Sequence, residues 1–157
     1  MKIRWMTVAA VSVGACLAHA ADGVWTAGAG LWTNTANWSA GVLPGEGEAA
    51  SFTGSGGGTV TVPSGYPFAL SSLLFSTNGI NVQWSLKGET NTLVAPAVVR
   101  IETNNLFLYT SLKGVNGLQK TGGGTLIVTN SNVQLSGSFK VLGGRILVAA
   151  DDSLGQV

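Results

Sequence analysis

The chain repeats itself near its C-terminus, and this constrains its fold more than any other feature. Residues 117–128 read Gly-Leu-Gln-Lys-Thr-Gly-Gly-Gly-Thr-Leu-Ile-Val, and residues 137–148 read Gly-Ser-Phe-Lys-Val-Leu-Gly-Gly-Arg-Ile-Leu-Val, 20 positions later. Five of the twelve positions are identical: Gly117/Gly137, Lys120/Lys140, Gly123/Gly143, Gly124/Gly144 and Val128/Val148. Leu126/Ile146 and Ile127/Leu147 are aliphatic exchanges. Self-similarity at a fixed period marks a repeat architecture. A period near 20 suits one coil of a parallel β-helix, in which each turn lays strand upon strand.

Such a coil needs corners. Gly122, Gly123, Gly124, Gly143 and Gly144 stand just before the strand-like runs, where glycine reaches positive φ without steric cost. Asn130-Ser131-Asn132 and Asp151-Asp152-Ser153 follow those runs, as turn formers should. An even offset preserves side-chain parity along a strand. Leu126 should therefore stack inward on Ile146 and Val128 on Val148, with Ile127 and Leu147 facing outward. That outward pair is either covered by a neighbouring segment or part of a contact surface. By the same parity Lys120 should lie above Lys140, on a face open to solvent.

Upstream the pattern loosens. Gly56-Gly57-Gly58-Thr59-Val60-Thr61-Val62 echoes 122–128, and Ser-Leu-Lys-Gly occurs at 85–88 and 111–114. Strands are predicted at 58–62, 70–76, 80–86, 92–102, 106–112, 124–129, 133–135, 138–142 and 145–149. Turns or edges are predicted at Pro63, Pro67, Asn78-Gly79, Pro96 and Asn104-Asn105. The 23 glycines among short aliphatic runs favour many short strands over helices. Charged residues make up only 10%, against roughly 25% in an ordinary soluble domain.

The first twenty residues form a separate unit. Lys2 and Arg4 are followed by an uncharged, mostly apolar stretch from Trp5 to Leu17, and Ala18-His19-Ala20 offers a signal-peptidase site. The stretch is short for a membrane span. It reads as a Sec signal peptide cleaved after Ala20. Val13-Gly14-Ala15-Cys16 supplies the alternative, a lipoprotein anchored at Cys16. Cleavage after Ala20 leaves 137 residues without Cys or His, which excludes disulfides, thiol nucleophiles and His-based metal sites. Six basic residues then face seven acidic ones, a net charge of −1 with no basic cluster. That balance argues against nucleic acid as a partner.

Residues 117–128, with Gly143-Gly144-Arg145-Ile146-Leu147-Val148 and Ser153-Leu154-Gly155, resemble the autotransporter-associated β-strand repeat. Its pattern is Gly-Leu-x-Lys-x-Gly-x-Gly-Thr-Leu, then Gly-x-Leu and a closing Leu-Gly. The matching positions are Gly117, Leu118, Lys120, Gly122, Gly124, Thr125, Leu126, Gly144, Leu147, Leu154 and Gly155. Trp25, Gly28, Gly30, Trp32, Asn37-Trp38-Ser39 and Pro44-Gly45 are similar to the start of long exported proteins that carry these repeats. The resemblance implies an all-β, right-handed parallel β-helix of the passenger type, displayed at or released from the cell surface. It implies no catalytic residues and no cofactor. Only one full repeat is present and no membrane barrel follows Val157, so further repeats or a C-terminal anchor are expected in a full-length protein. The chain then divides into a signal peptide (1–20), N-terminal capping strands (21–62), coils of irregular sequence (63–116) and the repeat (117–157).

Chemistry-bearing residues are few. Glu46 and Glu48 could pair as glycosidase acids, but Pro44-Gly45-Glu46-Gly47-Glu48 is turn-like. Asp151-Asp152 lacks the oxygen donors that calcium requires. The glycine runs at 54–58 and 122–124 carry no Gly-Lys-Ser/Thr. Asn37-Trp38-Ser39 fits the glycosylation acceptor pattern, which short chance matches also satisfy. Trp25, Trp32 and Trp38 could offer a sugar-stacking platform, or could close the N-terminal end of the solenoid. The expected function is a non-enzymatic secreted or cell-surface scaffold contributing to adhesion. Its candidate partners are a surface polysaccharide or the surface of a host or neighbouring cell. The alternatives are a carbohydrate-binding module built on the tryptophans and a polysaccharide lyase or hydrolase fragment.

Overall fold

The computed structural model describes residues 21–149 apart from 55, 67, 77–81 and 131–133, and leaves the side chains of 95 and 96 undescribed. Residues 1–20, expected to be a signal peptide, and Asn78-Gly79, Pro67, Asn132, Asp151-Asp152, Leu154 and Gly155 therefore lie outside the described residues. The chain winds as a β-solenoid. In chain order its strands are β1 (Gly23–Trp25), β2 (Gly30–Leu31), β3 (Glu48–Phe52), β4 (Gly58–Val62), β5 (Ala69–Phe75), β6 (Gln83–Gly88) and β7 (Asn91–Ile101). There follow β8 (Asn105–Leu108), β9 (Leu112–Gly114), β10 (Leu118–Thr121), β11 (Thr125–Val128), β12 (Gln134–Leu135), β13 (Phe139–Val141) and β14 (Arg145–Val148).

Each coil sends one strand to each of two sheets. One sheet runs β1-β3-β5-β7-β10-β13, with β9 and β12 continuing from the first half of β7, and the other runs β2-β4-β6-β8-β11-β14. The strand-to-strand pairings are parallel, as in β11 on β14 and β7 on β10. About four turns lie between the first rung and the last.

The length of a coil changes along the axis. Gly30 pairs with Val60, 30 residues on, Gly58 with Trp84, 26 on, and Gln83 with Asn105, 22 on. Asn105 pairs with Thr125 and Thr125 with Arg145, each 20 on. The repeat period inferred from the sequence is thus the rung-to-rung register of β11 and β14, including Leu126 on Ile146 and Val128 on Val148.

Inward columns make the core. Val60, Leu86, Leu108 and Val128 stack in one, and Trp84, Leu106 and Leu126 in another. On the opposite sheet Trp25, Phe52, Phe75 and Ile101 form a third, with Phe52 and Phe75 stacked at 4.5 Å. Parallel stacking of like apolar side chains lets each rung bury its neighbour's face.

One expectation is overturned. Lys120 does not lie above Lys140: β10 meets β13 at an offset of 21, so Gln119 pairs with Lys140 and Lys120 with Val141. The corner between the sheets is one residue shorter in the last coil, since Thr121 to Thr125 becomes Leu142 to Arg145. A shift of one residue reverses every side chain in a strand. Lys120 therefore points into the core, in the column Ala50–Leu73–Val99–Lys120, and is 0% exposed. Its Nζ donates to the carbonyls of Thr121 (2.6 Å), Gly122 (2.9 Å) and Gly143 (3.1 Å). Burial holds its pKa below the ordinary lysine value, partly offset by the Glu102 carboxylate. Lys140 is exposed.

The N-terminal end is closed. Residues 35–41 fold back across β1, where Trp25 and Trp38 form an antiparallel bridge and Thr26 N donates to Asn37 O at 2.8 Å. This covers the edge of the first rung, which a solenoid otherwise leaves unpaired.

Candidate functional site

The tryptophans singled out in the sequence lie together beneath this cap. Trp25, Trp32 and Trp38 are 0%, 1% and 2% exposed. Trp38 meets Trp25 edge-on at 5.1 Å and Trp32 at 4.7 Å, and its Nε1 donates to Trp32 O at 2.7 Å. Trp32 stacks on Phe68 at 4.0 Å. Rings packed on one another in this way have no free face for a sugar.

The repeat positions are distributed through the last coils. Leu118 and Leu126 are buried, Lys120 binds corner carbonyls, and Gly122 and Gly144 turn corners at φ 76° and 66°. Leu147 is 49% exposed and belongs to an outward column with Phe107 and Ile127. Phe107 stacks on Tyr109 at 6.2 Å, and Lys87 Nζ lies 5.0 Å from the centre of the Tyr109 ring.

A concave surface lies elsewhere, where β7 makes a third, short face. The pairing of β5 with β7 slips by three residues: Leu70 meets Leu93, but Ser72 meets Val98. Pro96 sits within this irregularity, where a missing N–H is tolerated. The first half of β7 then pairs with β9, and β9 with β12. Ala69, Thr92, Lys113 and Gln134 fall into one register column, one residue per coil.

Two concavities flank that column. One, of about 440 Å³, has Trp32 and Phe68 in its lining together with Glu46, Tyr66, Thr92 and Lys113. The other, of about 480 Å³ and more open, is lined by Thr92, Val94, Lys113, Val115, Asn116 and Gln134. Thr92 and Lys113 belong to both, so the two adjoin at that column as two lobes of a groove along the solenoid axis. Glu46 lines this groove, whereas Glu48 lies in β3.

The groove's exposed aromatic residue sits on a turn whose backbone is held from behind. Tyr66 is 43% exposed and closes a turn in which its N–H donates to Pro63 O at 3.2 Å. The carboxylate of Glu89 accepts from Gly65 N at 3.0 Å and Thr90 N at 3.1 Å. Those backbone bonds, with further help from Ser64 and Lys113, hold its pKa below the usual glutamate value. The backbone oxygen of Glu89 accepts from Asn91 Nδ2 at 2.8 Å and from Thr110 Oγ1, both residues being fully buried. Sequence reasoning missed Tyr66, Glu89 and the groove. The coil offsets that align Ala69, Thr92, Lys113 and Gln134 are 23, 21 and 21, and no repeated motif announces them.

Among the described residues no three His, Cys, Asp or Glu side chains cluster as metal ligands. No helix among them is long and apolar enough to cross a membrane.

With this geometry in view, one comparison carries weight. The chain is 30% identical over 146 residues to the adhesin BmaC autotransporter of Brucella suis biovar 1 (strain 1330). That relative is an autotransporter adhesin. The match covers 92% of this chain and 4% of that protein, so the chain spans a small part of its length. No family model matches the chain, and no solved structure matches it.

Proposed function

We propose that this chain is a segment of an exported, surface-displayed β-solenoid, passenger-like and non-enzymatic, which spaces and presents an adhesive surface. The observation that carries this reading is the similarity to an autotransporter adhesin across 92% of the chain. The stacked parallel coils support it, because a solenoid extends its surface one rung at a time without needing a catalytic centre. Several described carboxylates already serve the scaffold, which agrees with a structural role: Asp22 accepts from Ala49 N, Glu89 from Gly65 N, and Glu102 pairs with Arg100. In this reading residues 1–20 are the Sec leader, with lipidation at Cys16 as the alternative route. Residues 21–62 cap the coil, 63–116 extend it, and 117–157 carry the autotransporter-associated repeat.

The test is attachment. Beads coated with the chain lacking residues 1–20 should adhere to epithelial cell layers several-fold more than beads coated with an unrelated β-solenoid of similar charge. Equal attachment of the two would remove the adhesive role.

A further inference from the structure

We infer that the axial groove formed by β7, β9 and β12 is a binding site for a linear, uncharged glycan, with Tyr66 as its stacking anchor. This deepens the adhesive reading above and rests on it.

The shape comes first. The groove crosses successive coils instead of running along one strand, and its floor advances by the rung spacing of about 4.8 Å. The ladder Thr92–Lys113–Gln134 presents one polar side chain per rung at that interval. This advance is close to that of a β-1,4-linked pyranose chain, so each ring would meet one rung and one hydrogen-bonding side chain. Each concavity falls in the range of about 300–1,000 Å³ usual for ligand sites.

The chemistry agrees. Tyr66 offers a ring partly in solvent on a turn whose backbone Glu89 holds, so little backbone freedom is lost when a ligand stacks on it. Hydroxyl and amide groups at Thr92, Asn116 and Gln134 suit sugar hydroxyls, and Glu46 and Lys113 cancel in charge. A polyanion would gain no net attraction from such a lining. An extended peptide is disfavoured for a different reason. Strand addition needs an unpaired edge, and β7 and β9, which carry Thr92 and Lys113, have both edges paired, so a peptide could add only beside β12, at one end of the groove.

The experiment titrates the full chain with three neutral hexasaccharides, β-1,4-linked glucose, β-1,4-linked N-acetylglucosamine and α-1,4-linked glucose, with an uncharged Thr/Val hexapeptide alongside. Backbone amide resonances report the site. At least one hexasaccharide should shift Thr92, Lys113 and Gln134, its trimer should bind about tenfold more weakly, and Tyr66→Ala should cost about tenfold in affinity. Tyr66 is partly in solvent, so the variant's spectrum outside the groove verifies its fold, and Leu147→Ser on another face should bind as the parent does. The inference is overturned if no hexasaccharide shifts those amides, if only the peptide does, or if Tyr66→Ala binds unchanged. Bead attachment separates the two levels: cell adhesion that persists without glycan binding sinks the groove alone, whereas glycan binding without adhesion sinks the adhesive reading.

Discussion

At the scale of single residues, Lys120 departs furthest from its sequence context. It occupies a core position between aliphatic neighbours, and its amine closes three carbonyls at the corner linking the last two coils. An aliphatic side chain of the same length would fill the space but leave those acceptors without this donor. Desolvated, unpaired acceptors cost about 1–3 kcal/mol. Lys120→Met should therefore lower the urea-unfolding free energy by about that amount, while Lys140→Met, at an exposed position, should stay within about 0.5 kcal/mol. Equal stability of the two variants would mean that the corner carbonyls do not depend on the lysine. The sequence alone could not assign this role. Lys120 and Lys140 align as a repeated pair, and only the shorter corner in the last coil separates a buried lysine from a solvated one.

At the scale of strands and corners, the readable elements were those with local signatures. The strand predicted at 58–62 is β4, and those predicted at 124–129 and 145–149 become β11 and β14, because each aliphatic run there starts at or just after a glycine. The span 106–112 instead divides into β8 and the start of β9, since the chain turns a corner between two sheets. The two Ser-Leu-Lys-Gly segments land on different sheets, in β6 and β9, so that echo carried no register. Among the five corner glycines, Gly122 and Gly144 take positive φ. At Gly122 a Cβ would also lie 2.2 Å from the Ile101 carbonyl oxygen of the coil below. Gly122→Ala should accordingly destabilise the chain by about 2 kcal/mol or more. Gly56→Ala, with open space around the new methyl group, serves as the control for thermal unfolding. Comparable melting points for the two would contradict the tight corner.

At the scale of the whole molecule, the solenoid has two unlike ends. The first rung is closed by the segment around Trp38, whereas the last described rung shows Val141, Leu142, Leu147 and Val148 about half exposed or more. The architecture was legible in the sequence because the last coils kept a 20-residue period and one pair of them, 117–128 and 137–148, also kept five of twelve residues identical. The groove was not, because it arises from a slip in β7 and from coils of unequal length, which leave no repeated motif to read. All of this rests on neighbouring coils lying parallel and in register. Interstrand nuclear Overhauser contacts measure that directly. Contacts between amide and α protons should link 125–128 to 145–148 at an offset of 20, and 118–120 to 139–141 at an offset of 21. Close α-to-α proton contacts between these segments, the pattern of antiparallel neighbours, would contradict the coil and the functions built upon it.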